Sequence, residues 1–352
     1  MNSLVRENIK SLNAYEVNEV ETVAKLDANE NNNLAHQLNE KILGAIMELK
    51  LNQYPDSDSI ELREILAREL GLRPEEIIVG CGSDQLISII INSFVGEGDK
   101  ILTQDPTFAM YKLVTQISGG TTVEVGLGED FAFDYGSFKD AMDRENPKII
   151  FITNPNNPTG GLIAREDIVK VIDKAKGIVV VDEAYYEFCG ESVIDLLNLY
   201  PNLIVLRTLS KAYGLAGARV GYGVACKDLM DVLYKVKPPY NVANLSQVAA
   251  KVCLENKDLM VKAVEDIIGQ RDRLVPALRG LKGVKVFDSY GNFILCRMDK
   301  AKQVYDYLLE NKVLVRYFGD GGPLANCLRI SIGTKEENNL LLELLARELD
   351  SI

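Results

Sequence analysis

Lys211 sits in TLSKAYGLAGARVGY (residues 208–222), a loop of small residues where backbone can approach a ligand closely, with Ser210 before it and Arg219 eight positions later. That string pairs an amine nucleophile with an anion site. In GIVVVDEAYYEF an apolar run ends in Asp182 and Glu183, and Tyr185 follows. A carboxylate there lies at the carboxyl end of a buried strand, where open α/β sheets collect ligands. TNPNNPTGG (153–161) holds Asn157 in a proline-stiffened loop, its amide suited to an oxyanion. In GCGSDQL a strand, a turn and a helix start coincide, so Ser83 and Asp84 stand among free N–H groups that suit a phosphate. The third glycine of a dinucleotide fingerprint would fall on Gln85, which rejects that reading. DPTFAMY places Phe108 after another strand, where its ring can lie on an aromatic ligand.

Singly, these read as a solvated lysine, a turn acid, a polar turn and a core phenylalanine. Jointly they supply an amine able to form a Schiff base, an acid, an amide and a phenol for an oxyanion, phosphate donors and an aromatic lid. Pyridoxal phosphate requires that set: the acid keeps the pyridine nitrogen protonated and the lysine carries the imine and shuttles the proton.

The elements that must position these groups are legible from about residue 77. Short β-rich runs (77–80, 100–103, 121–125, 148–153, 177–183, 203–207 and 219–224) alternate with helical periodicity near 83–95, 107–117, 137–144 and 165–176. The alternation predicts an α/β domain with a mainly parallel sheet of six or seven strands between helices. Asp58, three before Glu61, has capping-box spacing, and Ser83 is placed to cap the helix that follows it. After residue 240 helices near 243–255 and 258–281, strands at GNFILCR, VLVR and CLRISIG, and a final helix predict a smaller α+β domain.

Composition narrows the function further. Among 352 residues, 39 Lys and Arg against 51 Asp and Glu give a net charge of −12, which opposes nucleic-acid or anionic-membrane binding. The longest charge-free stretch, about 16 residues from Ile149 to Ala164, contains Pro155 and Pro158 and cannot span a bilayer. MNSLVRENIK mixes charge with apolar residues, which places the chain in the cytoplasm. Six scattered cysteines form no CxxC pair, and the one histidine, His36, reads as a surface residue, so no metal is expected.

These strings, from LDANEN (26–31) to LRISIGT (328–334), resemble the fold-type I PLP-dependent aminotransferases, and within them most closely the histidinol-phosphate aminotransferase family. The resemblance covers nearly the whole chain. It implies a large PLP-binding domain over 48–245 with a seven-stranded sheet, and a small domain from 1–47 plus 246–352. It implies that Lys211 is the PLP lysine, Asp182 the pyridine partner, and Asn157 and Tyr185 the partners of the phenolic oxygen. Ser83, Asp84, Ser210 and Arg219 resemble the phosphate group and Phe108 the stacking residue, where the family often has Tyr. Tyr54 of NQYPD resembles a tyrosine that reaches across a symmetric homodimer to the partner's cofactor. Arg329 and Arg316 resemble anion-binding arginines, and Tyr15 and Asn29 substrate-side contacts. The implied reaction exchanges an amino group between histidinol phosphate and 2-oxoglutarate, giving imidazole acetol phosphate and glutamate. An aromatic amino-acid aminotransferase and, more distantly, a phosphothreonine decarboxylase are the alternatives.

Overall fold

Runs of Val, Ile and Leu that can be buried on both faces become the strands of a central sheet. The structure, a computed structural model, describes residues 4–12, 20–34 and 36–351. Its strands are β1 (Ala24–Leu26), β2 (Ile77–Cys81), β3 (Lys100–Asp105), β4 (Thr121–Gly126), β5 (Ile149–Thr153), β6 (Ile178–Asp182), β7 (Leu203–Thr208), β8 (Val220–Ala225), β9 (Val284–Val286), β10 (Phe293–Met298), β11 (Val313–Tyr317) and β12 (Cys327–Ser331). Seven of them form one sheet in the order β2-β8-β7-β6-β5-β3-β4. Pairs from β4 to β7 are parallel, whereas β8 runs antiparallel to both β7 and β2. The expected α/β fold is therefore present, with all seven expected strands in the large sheet.

Side chains alternate across this sheet with period two. Ile149, Phe151, Val180, Ile204 and Leu206 pack under the helices Gly82–Phe94, Met110–Ser118 and Lys227–Val236. Ile150, Ile152, Val179, Val181, Leu203 and Val205 face the opposite core, which includes the helices Tyr135–Glu145 and Arg165–Lys174. The alternation carries past the strand ends, so Asp182 falls on the first face and Glu183 on the second. Thr153 and Asp182 are direct cross-strand partners.

The smaller sheet has the order β1-β11-β12-β10-β9 and draws strands from both ends of the described chain. β1 runs parallel to β11, with Ala24 opposite Val313. Neither β1 nor β9 shows in the sequence pattern, because three residues are too few to display an alternation.

Two expected caps differ. The Asp58–Glu61 box does not form at the helix Ile60–Leu70: Ser59 takes a left-handed φ of 49°, and Asp56 instead accepts from the Ile60 N–H at 2.7 Å and the Asp58 N–H at 3.0 Å. Ser83 is not a cap either, because β2 runs straight into the helix Gly82–Phe94 and Ser83 becomes its second residue. Gln85 Oε1 accepts from the Cys81 N–H at 2.7 Å in that place. No helix among the described residues is long and apolar enough to cross a membrane.

Candidate active site

Residues 27–31 leave β1 and cross between the two sheets, and the site is assembled on them. Asn29 takes a positive φ of 54°, which Asn tolerates better than most residues. Its backbone N–H donates to Ser331 Oγ at 2.8 Å, and Asn292 Nδ2 donates to its carbonyl at 2.9 Å, both from the small-sheet side. Its Nδ2 donates to the Tyr185 hydroxyl at 2.9 Å on the large-sheet side. Asn29 is 1% exposed, so its side chain holds Tyr185 rather than presenting a free amide to a substrate. Asn31 Nδ2 adds a bond to the Ala212 carbonyl at 2.8 Å.

Lys211 follows β7 and donates from Nζ to the Ala28 carbonyl at 2.8 Å. Burial of the amine pushes its pKa down to about 8, with repulsion from Arg329 and Arg219 added and the pull of Glu30 and Asp84 opposing. Arg329, on β12, donates to Asn157 Oδ1 at 2.5 Å and to the Asp27 carbonyl at 2.5 Å, with its guanidinium 5.6 Å from the Phe293 ring centre. Tyr185 packs edge-on against Phe293 at 5.1 Å, and burial raises its phenol above the ordinary value, so it stays a neutral donor. Lys211 and Arg329 thus bond to the backbone of residues 27–28, Tyr185 meets the Asn29 side chain, and Asn157 joins the cluster through Arg329.

Asp182 ends β6 at 3% exposure. The Tyr111 hydroxyl donates to its Oδ2 at 2.7 Å and the Ala184 N–H to its Oδ1 at 3.1 Å. Burial pushes the carboxyl up to about 6, the two hydrogen bonds pull it back, and Asp84 and Glu183 repel the anion. Phe108 lies edge-on to Tyr111 at 5.8 Å. At the start of the helix Gly82–Phe94, Arg219 Nη2 donates to Asp84 Oδ2 at 2.8 Å. Glycine is required at two points here. A Cβ on Gly82, at φ +75°, would lie 2.5 Å from Arg219 Nη2, and a Cβ on Gly221 would lie 2.5 Å from the Ser83 nitrogen. Ser210 is buried, and its Oγ accepts from Thr208 Oγ1 at 3.0 Å.

Two expected site residues, Tyr54 and Arg316, are exposed rather than enclosed in this cluster. Tyr54 is 81% exposed and stacks on Tyr240 at 4.6 Å. Arg316 is exposed on β11, directly opposite Arg329 in the antiparallel pair. Tyr15 lies outside the described residues. Sequence reading missed Tyr111, Thr153, Ser331 and Asn292. Only Tyr111 had a signal, its place three residues after Phe108 on the same helical approach.

The donor set fits pyridoxal phosphate. Asp182 is a buried carboxylate met only by neutral donors, and among the described residues no cation pairs with it, so a protonated ring nitrogen would complete it. The close approach that Gly82 and Gly221 allow gathers Arg219 with the N–H groups of a helix start, which suits a phosphate. Among the described residues no cluster of His, Cys, Asp and Glu can hold a metal ion.

The aminotransferase class I and II family model matches residues 21–345. A histidinol-phosphate aminotransferase of Thermoanaerobacter sp. (strain X514) is 44% identical over 344 residues, covering 97% of each chain. The enzyme of that name from Ruminiclostridium cellulolyticum is 41% identical over 345 residues, covering 97% of this chain and 96% of the relative. A crystal structure of histidinol-phosphate aminotransferase from Sinorhizobium meliloti in complex with pyridoxal-5'-phosphate superposes with a TM-score of 0.91 at 27% identity, covering 99% of this chain and 98% of the other.

Proposed function

We propose that this chain, which belongs to the aminotransferase class I and II family, is a PLP-dependent enzyme moving an amino group between histidinol phosphate and 2-oxoglutarate in histidine biosynthesis. The observation that carries the reading is the cluster in which Lys211, Arg329 and Tyr185 meet residues 27–29 and Arg329 also holds Asn157, with the buried Asp182 near enough to Tyr185 to act on its phenol. Relatives at 41–44% identity that carry the histidinol-phosphate name support the substrate.

The cofactor, once bound, supplies a cationic ring that withdraws electrons from the substrate's α-carbon. The chain's own residues do the rest. Lys211 anchors the cofactor, and its Nζ, which burial inclines toward the neutral amine, takes and returns the proton at that carbon. Asp182, ionised above about pH 6, holds the proton on the ring nitrogen. Tyr185 and Asn157 serve the phenolic oxygen, and Arg219, Ser210, Ser83 and Asp84 the phosphate. Phe108 covers the ring. Arg329 receives the donor's carboxylate in a forked geometry, with Arg316 as a second anion contact on the neighbouring strand.

The reading includes a symmetric homodimer in which Tyr54 reaches the partner's phosphate site. Its 81% exposure, and exposed Leu43, Met47 and Leu51 along the same stretch, support that assembly. A light-scattering mass equal to one chain at working concentration would remove it. Six free cysteines support a reducing, cytoplasmic location. The substrate is tested by comparing kcat/KM for histidinol phosphate, phenylalanine and phosphothreonine, with histidinol phosphate expected to lead. Preference for phenylalanine makes the chain an aromatic aminotransferase, and release of carbon dioxide from phosphothreonine makes it a decarboxylase.

A further inference from the structure

We propose that Tyr111 is a positioning residue for this reaction: its hydroxyl, itself oriented by Thr153, holds the Asp182 carboxylate anionic and aimed at the cofactor's ring nitrogen. The inference rests on the cofactor reading above. Tyr111 is fully buried, and its ring stacks on Phe151 at 4.5 Å and 16°, with Phe108 edge-on at 5.8 Å. A ring clamped on two sides delivers its hydroxyl to one place. That place is 2.7 Å from Asp182 Oδ2 and 2.9 Å from Thr153 Oγ1.

The two acceptors are there because of register. Thr153 and Asp182 are direct partners across β5 and β6, so their side chains share the face on which Tyr111 packs. The Thr107 hydroxyl directs its single proton between Asn156 Oδ1 at 2.7 Å and Thr153 Oγ1 at 3.1 Å, so Thr153 accepts on that side and keeps its own proton. The Thr153 hydroxyl is then able to donate to the Tyr111 oxygen, which sends the phenolic proton to Asp182. Each hydroxyl has one proton, so the order of donors is set by what lies behind it.

The surroundings show why such a donor is needed. Asp84, from the helix Gly82–Phe94, and Glu183, from the next position along the chain, both repel an anion at Asp182. Tyr185 faces it as a neutral phenol and Ala184 N–H caps the other oxygen. Among the described residues Tyr111 is the side chain that donates to this carboxylate. Burial and the neighbouring Asp182 raise the Tyr111 phenol well above its ordinary value, so it remains a protonated donor.

The test is calorimetric binding of pyridoxamine 5′-phosphate to the full chain freed of cofactor, from about pH 5 to 9. Pyridoxamine phosphate has no aldehyde, so a covalent bond to Lys211 does not mask the contact with Asp182. Wild type is expected to lose affinity as Asp182 protonates. Tyr111→Phe, which keeps the stacked ring, should move that acid limb upward by about one pH unit, or about tenfold in affinity within the window. Thr153→Val should move it in the same direction by less, and it carries the test should Tyr111→Phe fail to fold. An unmoved limb in the variants, including uniform weakening at every pH, overturns the role of Tyr111. A wild type that does not bind pyridoxamine phosphate overturns the cofactor reading itself.

Discussion

Asp182 and Glu183 are consecutive carboxylates, equally buried, on opposite faces of the large sheet, and their surroundings differ in kind. Glu183 meets a full set of partners: Arg207 donates from Nε at 3.0 Å and Nη2 at 2.8 Å, Ser192 Oγ at 2.8 Å and the Val193 N–H at 2.8 Å. Arg207 is held in turn by Ser192 and lies 3.6 Å from the Tyr186 ring centre. Asp182 meets a phenol and one backbone N–H. A buried charge with a cation of its own is structural, whereas one held only by neutral donors is ready for a cation that arrives.

The contrast breaks most sharply at Asp182. Asp182→Asn is expected to lower kcat by at least ~100-fold while leaving the thermal unfolding midpoint close to wild type, because it removes a charge the fold does not pair. Near-normal turnover would end the distinction. Glu183→Gln should do the reverse, leaving Arg207 buried without its anion at a cost of ~3 kcal/mol or more in urea unfolding, with activity per folded molecule retained. If it instead impairs turnover without loss of stability, Glu183 belongs to the site.

The pH dependence is the next effect in size. In the cofactor-free chain Asp182 loses its proton near pH 6 and the Lys211 amine near pH 8. A neutral amine and an anionic carboxylate both favour capture of the cofactor, so the rate at which the cofactor-free chain takes up pyridoxal phosphate should climb through that window, and a fall across it would contradict the assignments. The smallest effect is expected at Asn29. Asn29→Gly keeps the positive φ but deletes the donor to Tyr185, and about a tenfold loss in kcat/KM is expected. Pairing it with Tyr185→Phe in a double-mutant cycle should show coupling of ~1 kcal/mol, and additive losses would mean that Asn29 does not act through Tyr185.

The large sheet was legible because its strands are long apolar runs separated by helical periodicity, and β5, β6 and β7 each carry a polar signal just past the last apolar residue. The strand end at Asp182 and the loops that carry Asn157, Tyr185, Ser210 and Lys211 are legible for that reason. Asn29 resembles a substrate-side contact by its string, and nothing local says that its amide also faces a phenol 156 residues away. The Asp58 cap failed for a similar reason: spacing suggested a box, but the left-handed Ser59 brought Asp56 into reach instead.

Side-chain type and period-two burial are local properties, so the kind of chemistry and the strand that delivers each group can be read directly from the order of residues. Which groups touch depends on how the chain folds back on itself. That folding crossed residues 27–31 between two sheets and brought Arg329 to Asn157 over 172 positions. It also set Thr153 beside Asp182, so that one tyrosine from a separate helix reaches both. Those contacts depend on register and packing between distant segments, which no short stretch of sequence encodes.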